Sequence, residues 1–585
     1  MGYGDDSGAL FQYNRHMIDK IKDNLLFTLQ QVFNITLKAD DILVVKSDNR
    51  EHGDFTINVA FKLAKELEKA PKEIAETLCE NLSKTGDYQK VEAVNGYINL
   101  FLNHKYYQNV VSEILKQKEH FGDLDVLKGE KIQVEFISAN PTGPLTLANG
   151  RGGFGGDALA NVLIKAGAKV EREYYVNDGG NQVTILGKSI LVAAGVLKSE
   201  EELYKGEYIE TWATDNKENI AKLKDKPFEL GQIAAHEILK NHIKPSVKGM
   251  GIKFDNWFSE DEMVGRGEVD ESITNLTKFG HTFEQDGALW MKTTEFGDDK
   301  DRVLVKSDGE KTYFANDIAY HFDKFYKRHF TKVINFWGAD HHGYVGRMMA
   351  AVSQSVGTVG TLKIVIFQLV HLIKDGQEYK MSKRKGTYIT MDDLLTLIGK
   401  SNPATGAQGL REASDVARFF FLMRSFNTHM DFDLDLATER SDKNPVFYVK
   451  YAYARICSIL AKSSLSSLSE AKDPEILRQA QNDKGHGVDL GLLVAPEEIE
   501  LIDQLSQLPQ LVASIITFDD YPVHYLTYFA IETAKRFHQF YDKCRVIDED
   551  NLELTGARLE LVRATQIVLG IVMRDLIGID APERM

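Results

Sequence analysis

Between residues 131 and 176 the chain lays down a strand, a loop crowded with proline and glycine, a helix and a second strand, and this order constrains the fold more than any other feature. Lys131-Ile132-Gln133-Val134-Glu135-Phe136 alternates polar and apolar residues, as a strand with one buried face does. Residues 138–156 read as the loop. Ala158, Leu159, Val162, Leu163 and Ala166 then recur at helical spacing, ahead of a second strand at 169–176. Strands joined through a helix run parallel, because only a long crossover returns the chain to the same end of a sheet. Strand patterns at 332–337 and 362–367 extend this sheet to about residue 400, and a polar helical stretch near 188–247 reads as an insertion.

At 585 residues the chain is too long for one hydrophobic core. Residues 1–105 read as an N-terminal α+β domain, with helices through Leu63 and Leu67 and from Pro71, and one strand over 91–102 bent at Gly96. Residues 106–413 hold the Rossmann-like α/β domain with its parallel sheet. From Ser414 onward β patterns vanish, and 414–585 read as an all-α helical bundle. Residues 463–489, rich in Ser, Asp, Gln and Gly, read as a mobile insertion between helices. Lys and Arg number 70 against 86 Asp and Glu, a net charge of −16 that argues against a general nucleic-acid coat or membrane-surface protein. It leaves room for RNA binding through a local basic face. Three scattered cysteines exclude a disulfide framework or cysteine zinc site, and the acidic start from Met1 to Asp6 lacks a signal-peptide core. A cytoplasmic location is expected.

Two segments carry chemistry. The loop from Asn140 through Pro144 and Leu145 meets a helix start near Thr146-Leu147-Ala148-Asn149-Gly150, where backbone N–H groups and the helix dipole favour phosphate. A plain turn between strand and helix has the same look. Lys380-Met381-Ser382-Lys383-Arg384-Lys385-Gly386 crowds cations into an acidic protein. Such lysines are usually a solvated face, yet on a loop after a strand they could clamp a polyphosphate.

Together the two segments resemble the HIGH and KMSK signatures of class I aminoacyl-tRNA synthetases, the second letter for letter. Ser138-Ala139-Asn140-Pro141-Thr142-Gly143-Pro144, Tyr175-Val176-Asn177-Asp178-Gly179-Gly180-Asn181-Gln182, Asn316-Asp317-Ile318-Ala319-Tyr320-His321 and Trp337-Gly338-Ala339-Asp340-His341-His342-Gly343-Tyr344 narrow the resemblance to arginyl-tRNA synthetases. It extends over nearly the whole chain, to Ala581-Pro582-Glu583-Arg584-Met585. One departure stands out: Thr146 and Asn149 occupy the places where that family usually has the two histidines of HIGH.

The resemblance implies an arginine–tRNA ligase using ATP and Mg2+, with L-arginine and tRNA(Arg) as partners, no membrane, and a monomeric state. It assigns catalysis to Lys380, Lys383, Asn149 and Thr146, and ATP binding to Thr146 and Asn149 together with Pro144, Leu145, Gly150, Gly338, Asp340, His341, Met381 and Ser382. Arginine would meet Glu135 and Asn140 with its amino-acid part and Tyr313 and Asp317 near its guanidinium, with Ser138 a further arginine-binding residue. The residues themselves allow this. Glu135 alternates away from Val134 and Phe136, and Tyr313 and Asp317 stand i, i+4 on one helical face. Blander roles are also open to them: a solvated strand end for Glu135, pairing of Asp317 with Lys324, and core packing for Tyr313.

Aromatics and cations interleave in the C-terminal helices, and the resemblance places tRNA contacts at Tyr448, Tyr451, Arg455 and Met585. Most aromatics at helical spacing are core, so only a minority are expected to touch RNA. The N-terminal domain would contact the outer corner of tRNA. Adjacent His341 and His342 invite a metal reading, but no third ligand is spaced to complete one, and no bound transition metal is expected. Two other readings remain: an inactive tRNA-binding paralogue, favoured by Thr146 and Asn149, and a class I synthetase for another amino acid.

Overall fold

The computed structural model describes residues 9–47, 50–198, 203–354, 360–379, 389–400, 406–469 and 488–585. In the N-terminal part, β1 (Val44–Lys46), β2 (Phe55–Ile57), β3 (Tyr88–Val94) and β4 (Tyr97–Leu102) form an antiparallel sheet in the order β1-β2-β4-β3. The expected single strand over 91–102 is a hairpin instead. Asn95 and Gly96 turn it with φ of 52° and 89°, and Asn-Gly with two positive φ values suits the right-handed twist of the flanking strands.

The next part is built on β5 (Lys131–Glu135), β6 (Lys169–Val176) and β7 (Asn256–Ser259). A small antiparallel sheet of β8 (Thr282–Gln285), β9 (Ala288–Met291) and β10 (Arg302–Val305) follows, then β11 (Lys332–Gly338) and β12 (Thr361–Phe367). The main sheet runs β12-β11-β5-β6-β7, and every adjacent pair is parallel. From β5 the chain builds outward one way to β6 and β7, then crosses to β11 and β12. The switch therefore falls between β5 and β11, and open parallel sheets bind ligands in the crevice beyond such a point.

The helix after β5 begins at Leu147, not near Ala158. Gly150, Gly152, Gly153, Gly155 and Gly156 are therefore helical residues and not part of a ligand-cradling loop. Neighbouring side chains press onto them: a Cβ at Gly156 would lie 2.4 Å from Phe136, and one at Gly150 would lie 2.3 Å from Sδ of Met391. Close packing here outweighs glycine's poor helix propensity, about 1 kcal/mol per residue. The inserted stretch is helical, and its helices Gly180–Ala193 and Pro227–Ile238 touch backbone to backbone at Gly187 and Gly231.

Strand patterns do not end at Ser414. β13 (Val370–Lys374) and β14 (Gln377–Glu378) are joined by β15 (Met430–Asp433), which pairs parallel with β13. Only Met430 and Phe432 of this short strand are buried, too few to mark a period. The last part is helical, from Pro445–Ser469 to Leu552–Gly570, around Val449, Ile456, Leu505, Phe537 and Leu561. Of the expected insertion, residues 463–469 continue a helix, and 470–487 lie outside the described residues.

Candidate active site

At the C-terminal end of β5 the backbone turns sharply, with Ile137 at φ 67° and Ser138 at φ 38°. A left-handed conformation strains a β-branched residue by about 1–3 kcal/mol. Ser138 holds the turn: its N–H donates to the Phe136 carbonyl (3.0 Å), its hydroxyl donates to Oε1 of Glu135 (3.0 Å), and it accepts from the Tyr175 N–H (3.1 Å).

Glu135 is no solvated strand end, being only 6% exposed. Its Oε2 receives Nζ of Lys324 at 2.6 Å, and Lys324 is fully buried. That ammonium also donates to Oδ1 of Asn335 (3.2 Å), the β11 residue paired with Glu135. Burial pulls the Lys324 pKa down, while Glu135 and Glu173 oppose the shift. Beside it, burial holds His321 at about 3, so the ring is neutral. Its Nδ1 donates to the Asp317 carbonyl (2.7 Å), and Nε2 lies 2.9 Å from Nδ2 of Asn335 as an acceptor.

Asp317 is thus not Lys324's ion-pair partner. Its Oδ2 accepts from the Tyr344 hydroxyl at 2.6 Å. Burial, then the charges of Glu260 and Glu135, push its pKa up to about 7 against the lowering effect of Tyr344. Glu260 is itself buried and takes Nδ2 of Asn316 at 2.8 Å. A surplus of carboxylates facing one buried region suits a cation.

Tyr313 is not core: it is 52% exposed, and its hydroxyl accepts from the Asn181 N–H (2.9 Å). Asn140 donates to Oε1 of the next residue, Gln182. Asn140 and Tyr313 are therefore attached to one helix N-terminus, whose Gly180 has φ 70° and no room for a Cβ beside Tyr313.

Thr146 caps the helix Leu147–Lys165. Its N–H (2.8 Å) and its hydroxyl (3.0 Å) both donate to Oδ1 of Asn149. The Thr146 hydroxyl proton is thus engaged within the cap, and among the described residues the Asn149 amide is the cap's side-chain donor left to a ligand. Leu145 is buried, and its carbonyl accepts from the Met391 N–H (2.9 Å), while Thr146 bridges Thr390. Lys380, Met381, Ser382 and Lys383 lie outside the described residues, but the segment that follows them is anchored on the helix cap. A cavity of about 480 Å³ adjoins it, lined by Pro144, Tyr208, Trp212, His242, Thr390 and Asp393 among others. Gly338 ends β11, and Asp340 and His341 stand exposed beyond it, with Nε2 of His341 3.5 Å from Oδ2 of Asp340. Gly150 is buried in the helix and faces Met391.

Three family models cover this chain: an arginyl-tRNA synthetase N-terminal domain over 19–102, a class I (R) tRNA synthetase catalytic domain over 110–401, and a DALR anticodon binding domain over 449–585. A curated arginine–tRNA ligase of Acetivibrio thermocellus is 40% identical over 562 residues, covering 94% of either chain. That of Bacillus subtilis is 39% identical over 559 residues, 93% of this chain and 94% of its own. The chain belongs to the arginyl-tRNA synthetase family. The solved arginyl-tRNA synthetase of Thermus thermophilus shares the fold at a TM-score of 0.68 and 21% identity, covering 97% of this chain and 100% of its own.

In the family's DALR region, helices Pro445–Ser469 and Tyr525–Lys543 share an aromatic surface. Tyr451 is 47% exposed, Arg455 lies 5.0 Å over both the Tyr451 and Tyr541 rings, and His538 neighbours Tyr448 at 5.2 Å. Tyr453, Phe537 and Phe540 are buried, and buried Lys450 pairs with Asp415. Met585 is exposed. The structure thus gathers Tyr448, Tyr451 and Arg455 with His538 and Tyr541.

Four residues of the candidate site had no such role assigned from sequence: Gln182 and Tyr344, which stand in segments that carry the resemblance, Glu260, and Lys324 as the partner of Glu135. Glu260 carried a usable signal, because it directly follows β7, a parallel strand. The pairings of the others come from contacts across the fold, Gln182 with Asn140, Tyr344 with Asp317 and Lys324 with Glu135.

Proposed function

We propose that this protein is an arginine–tRNA ligase, which activates L-arginine with ATP and transfers it to the 3′ end of tRNA(Arg). The observation that carries the reading is the carboxylate pocket of Glu135 and Asp317 at the sheet's switch point, flanked by Asn140 and Tyr313 and set beside the capped helix at Thr146. Glu135 and Asn140 would receive the α-amino end, and Asp317 with Tyr313 the guanidinium. A carboxylate offers about four lone-pair sites, so Glu135 can take a second cation while keeping Lys324 and Ser138. Hydrogen bonds to charged groups at about 1.5–3 kcal/mol each would disfavour citrulline, whose neutral ureido group brings Asp317 no positive charge.

The arginine carboxylate attacks the α-phosphorus of ATP, the bond to the β-phosphate bridging oxygen breaks, and pyrophosphate leaves. A ribose hydroxyl at the tRNA end then attacks the adenylate carbonyl and releases AMP. Neither step needs a protein nucleophile, so rate comes from positioning and electrostatics. Backbone and side-chain donors around Thr146, Asn149 and Gly150 would hold the nucleotide with Pro144, Leu145, Gly338, Asp340, His341, Met381 and Ser382. Lys380 and Lys383 would neutralise the departing pyrophosphate. A magnesium ion would be held mainly by the triphosphate and water.

Tyr448, Tyr451, Arg455 and Met585 are proposed tRNA contacts. Domain limits at 1–105, 106–413 and 414–585, a monomeric state and a cytoplasmic location belong to the same proposal. Among the described residues no helix is long and apolar enough to cross a membrane.

The test is ATP–pyrophosphate exchange with arginine, lysine or citrulline, each with and without tRNA(Arg). Exchange with arginine alone, and only when tRNA is present, is expected. No exchange under any condition, with tRNA binding intact, would replace this reading with an inactive RNA-binding protein.

A further inference from the structure

Lys324 is fully buried and pairs with the buried carboxylate of Glu135. A buried ion pair often adds little over apolar side chains of similar volume, because desolvation offsets the attraction. Here the charge sits in a continuous chain of contacts. Nζ donates to Glu135 (2.6 Å) and to Asn335 (3.2 Å), and lies 4.0 Å from the centre of the Tyr320 ring. Asn335 donates onward to His321 (2.9 Å), and His321 donates to the Asp317 carbonyl (2.7 Å). The chain joins the end of β5 to the helix Tyr313–Phe322 by way of β11. Lys324 itself stands in a π-helical turn, Asp323–Lys327, that directly continues that helix, and such turns recur at functional sites.

We infer that Lys324 is a positioning residue for the arginine pocket: acting with Asn335 and His321, it holds the Glu135 carboxylate and the backbone carrying Asp317 in one arrangement, and so sets the spacing between the groups that meet the two cations of the substrate. This rests on the reading above that Glu135 and Asp317 receive arginine. Lys324 touches no reacting atom. Its effect passes through Glu135 directly and through two neutral side chains to Asp317.

Aminoacylation kinetics of Lys324→Met, Asn335→Leu, Asp317→Asn and the Asn335→Leu/Asp317→Asn pair, read together with thermal unfolding, test the inference. Lys324→Met and Asn335→Leu are each expected to raise KM for arginine about tenfold while KM for ATP stays within about twofold. Asn335→Leu should add little to the loss already caused by Asp317→Asn, since both act on one arrangement. Lys324→Met leaves Glu135 buried without its cation and is prone to misfold. In that event Glu135→Gln/Lys324→Met, which buries no charge, carries the stability comparison, and Asn335→Leu alone carries the kinetic one. A folded Asn335→Leu protein with unchanged arginine KM, or one whose loss adds fully to that of Asp317→Asn, overturns the inference while leaving the pocket in place. Unchanged arginine KM in Asp317→Asn overturns the pocket itself, and the inference with it.

Discussion

The Tyr344 hydroxyl donates to Oδ2 of Asp317 over 2.6 Å, and this bond works against burial, Glu260 and Glu135, which together hold the Asp317 pKa up to about 7. Burial therefore brings the titration of the proposed guanidinium site up toward neutrality.

Arginine affinity should follow from this. A guanidinium favours ionised Asp317, so binding below pH 7 releases a proton, and affinity falls by about tenfold per pH unit once the pH is well below 7. Above pH 7 it levels off. The sign for stability is opposite: the folded pKa is raised, so the folded state holds the extra proton, and this group's contribution to stability is lost as pH rises toward 7. Calorimetry of arginine binding between pH 5.5 and pH 8.5, in buffers of different ionisation heat, measures both affinity and proton release. Affinity flat across that range would exclude Asp317 as the titrating group.

Tyr344→Phe removes the hydroxyl and keeps the ring, which packs near Phe314 and Trp337. Losing a bond that lowers the Asp317 pKa moves the affinity profile to higher pH and weakens arginine binding by about tenfold, the size of one hydrogen bond to a charged group. ATP binding should not change. An unshifted profile would mean that the hydroxyl does not tune Asp317.

Asn149→Ala deprives the Thr146 N–H and hydroxyl of their shared acceptor. Loss of a helix cap lowers stability by about 1 kcal/mol. Urea unfolding measures this. Adenylate formation should slow as well, because the Asn149 amide is the proposed side-chain donor to the nucleotide. A change in stability without a change in rate would confine Asn149 to capping.

Tyr451→Ala should raise KM for tRNA by about 5- to 100-fold, as expected when one base loses an aromatic surface, and leave KM for arginine and ATP unchanged. Phe537, buried on the helix Tyr525–Lys543, is the contrast. Phe537→Ala should lower the melting temperature, by the mechanism of a core cavity. A Tyr451→Ala enzyme with unaltered tRNA kinetics would move the RNA face elsewhere.

Much of the architecture was legible along the chain, because its signals are local. Alternation over Lys131–Glu135, helical spacing through Leu163 and a strand at Lys169–Val176 required a parallel sheet. The spacing of Tyr313 and Asp317 put them on one helix. Local rules also misled. Gly150 to Gly156 read as loop until Phe136 and Met391 were seen to occupy the space where side chains would stand. The turn at Asn95-Gly96 was hidden by an apolar pattern that continues across it.

Partner choice was another matter. Lys324 follows Asp317 by seven residues, near one face of a regular helix, so an ion pair between them was one open alternative. The wider turn beginning at Asp323 and the approach of β5 gave Lys324 to Glu135, a residue 189 positions away. Periodicity, turn residues and caps depend on neighbours a few residues apart, and so they are written in order along the chain. Which cation meets which carboxylate, and how far burial moves a proton, depends on surfaces that only packing brings together.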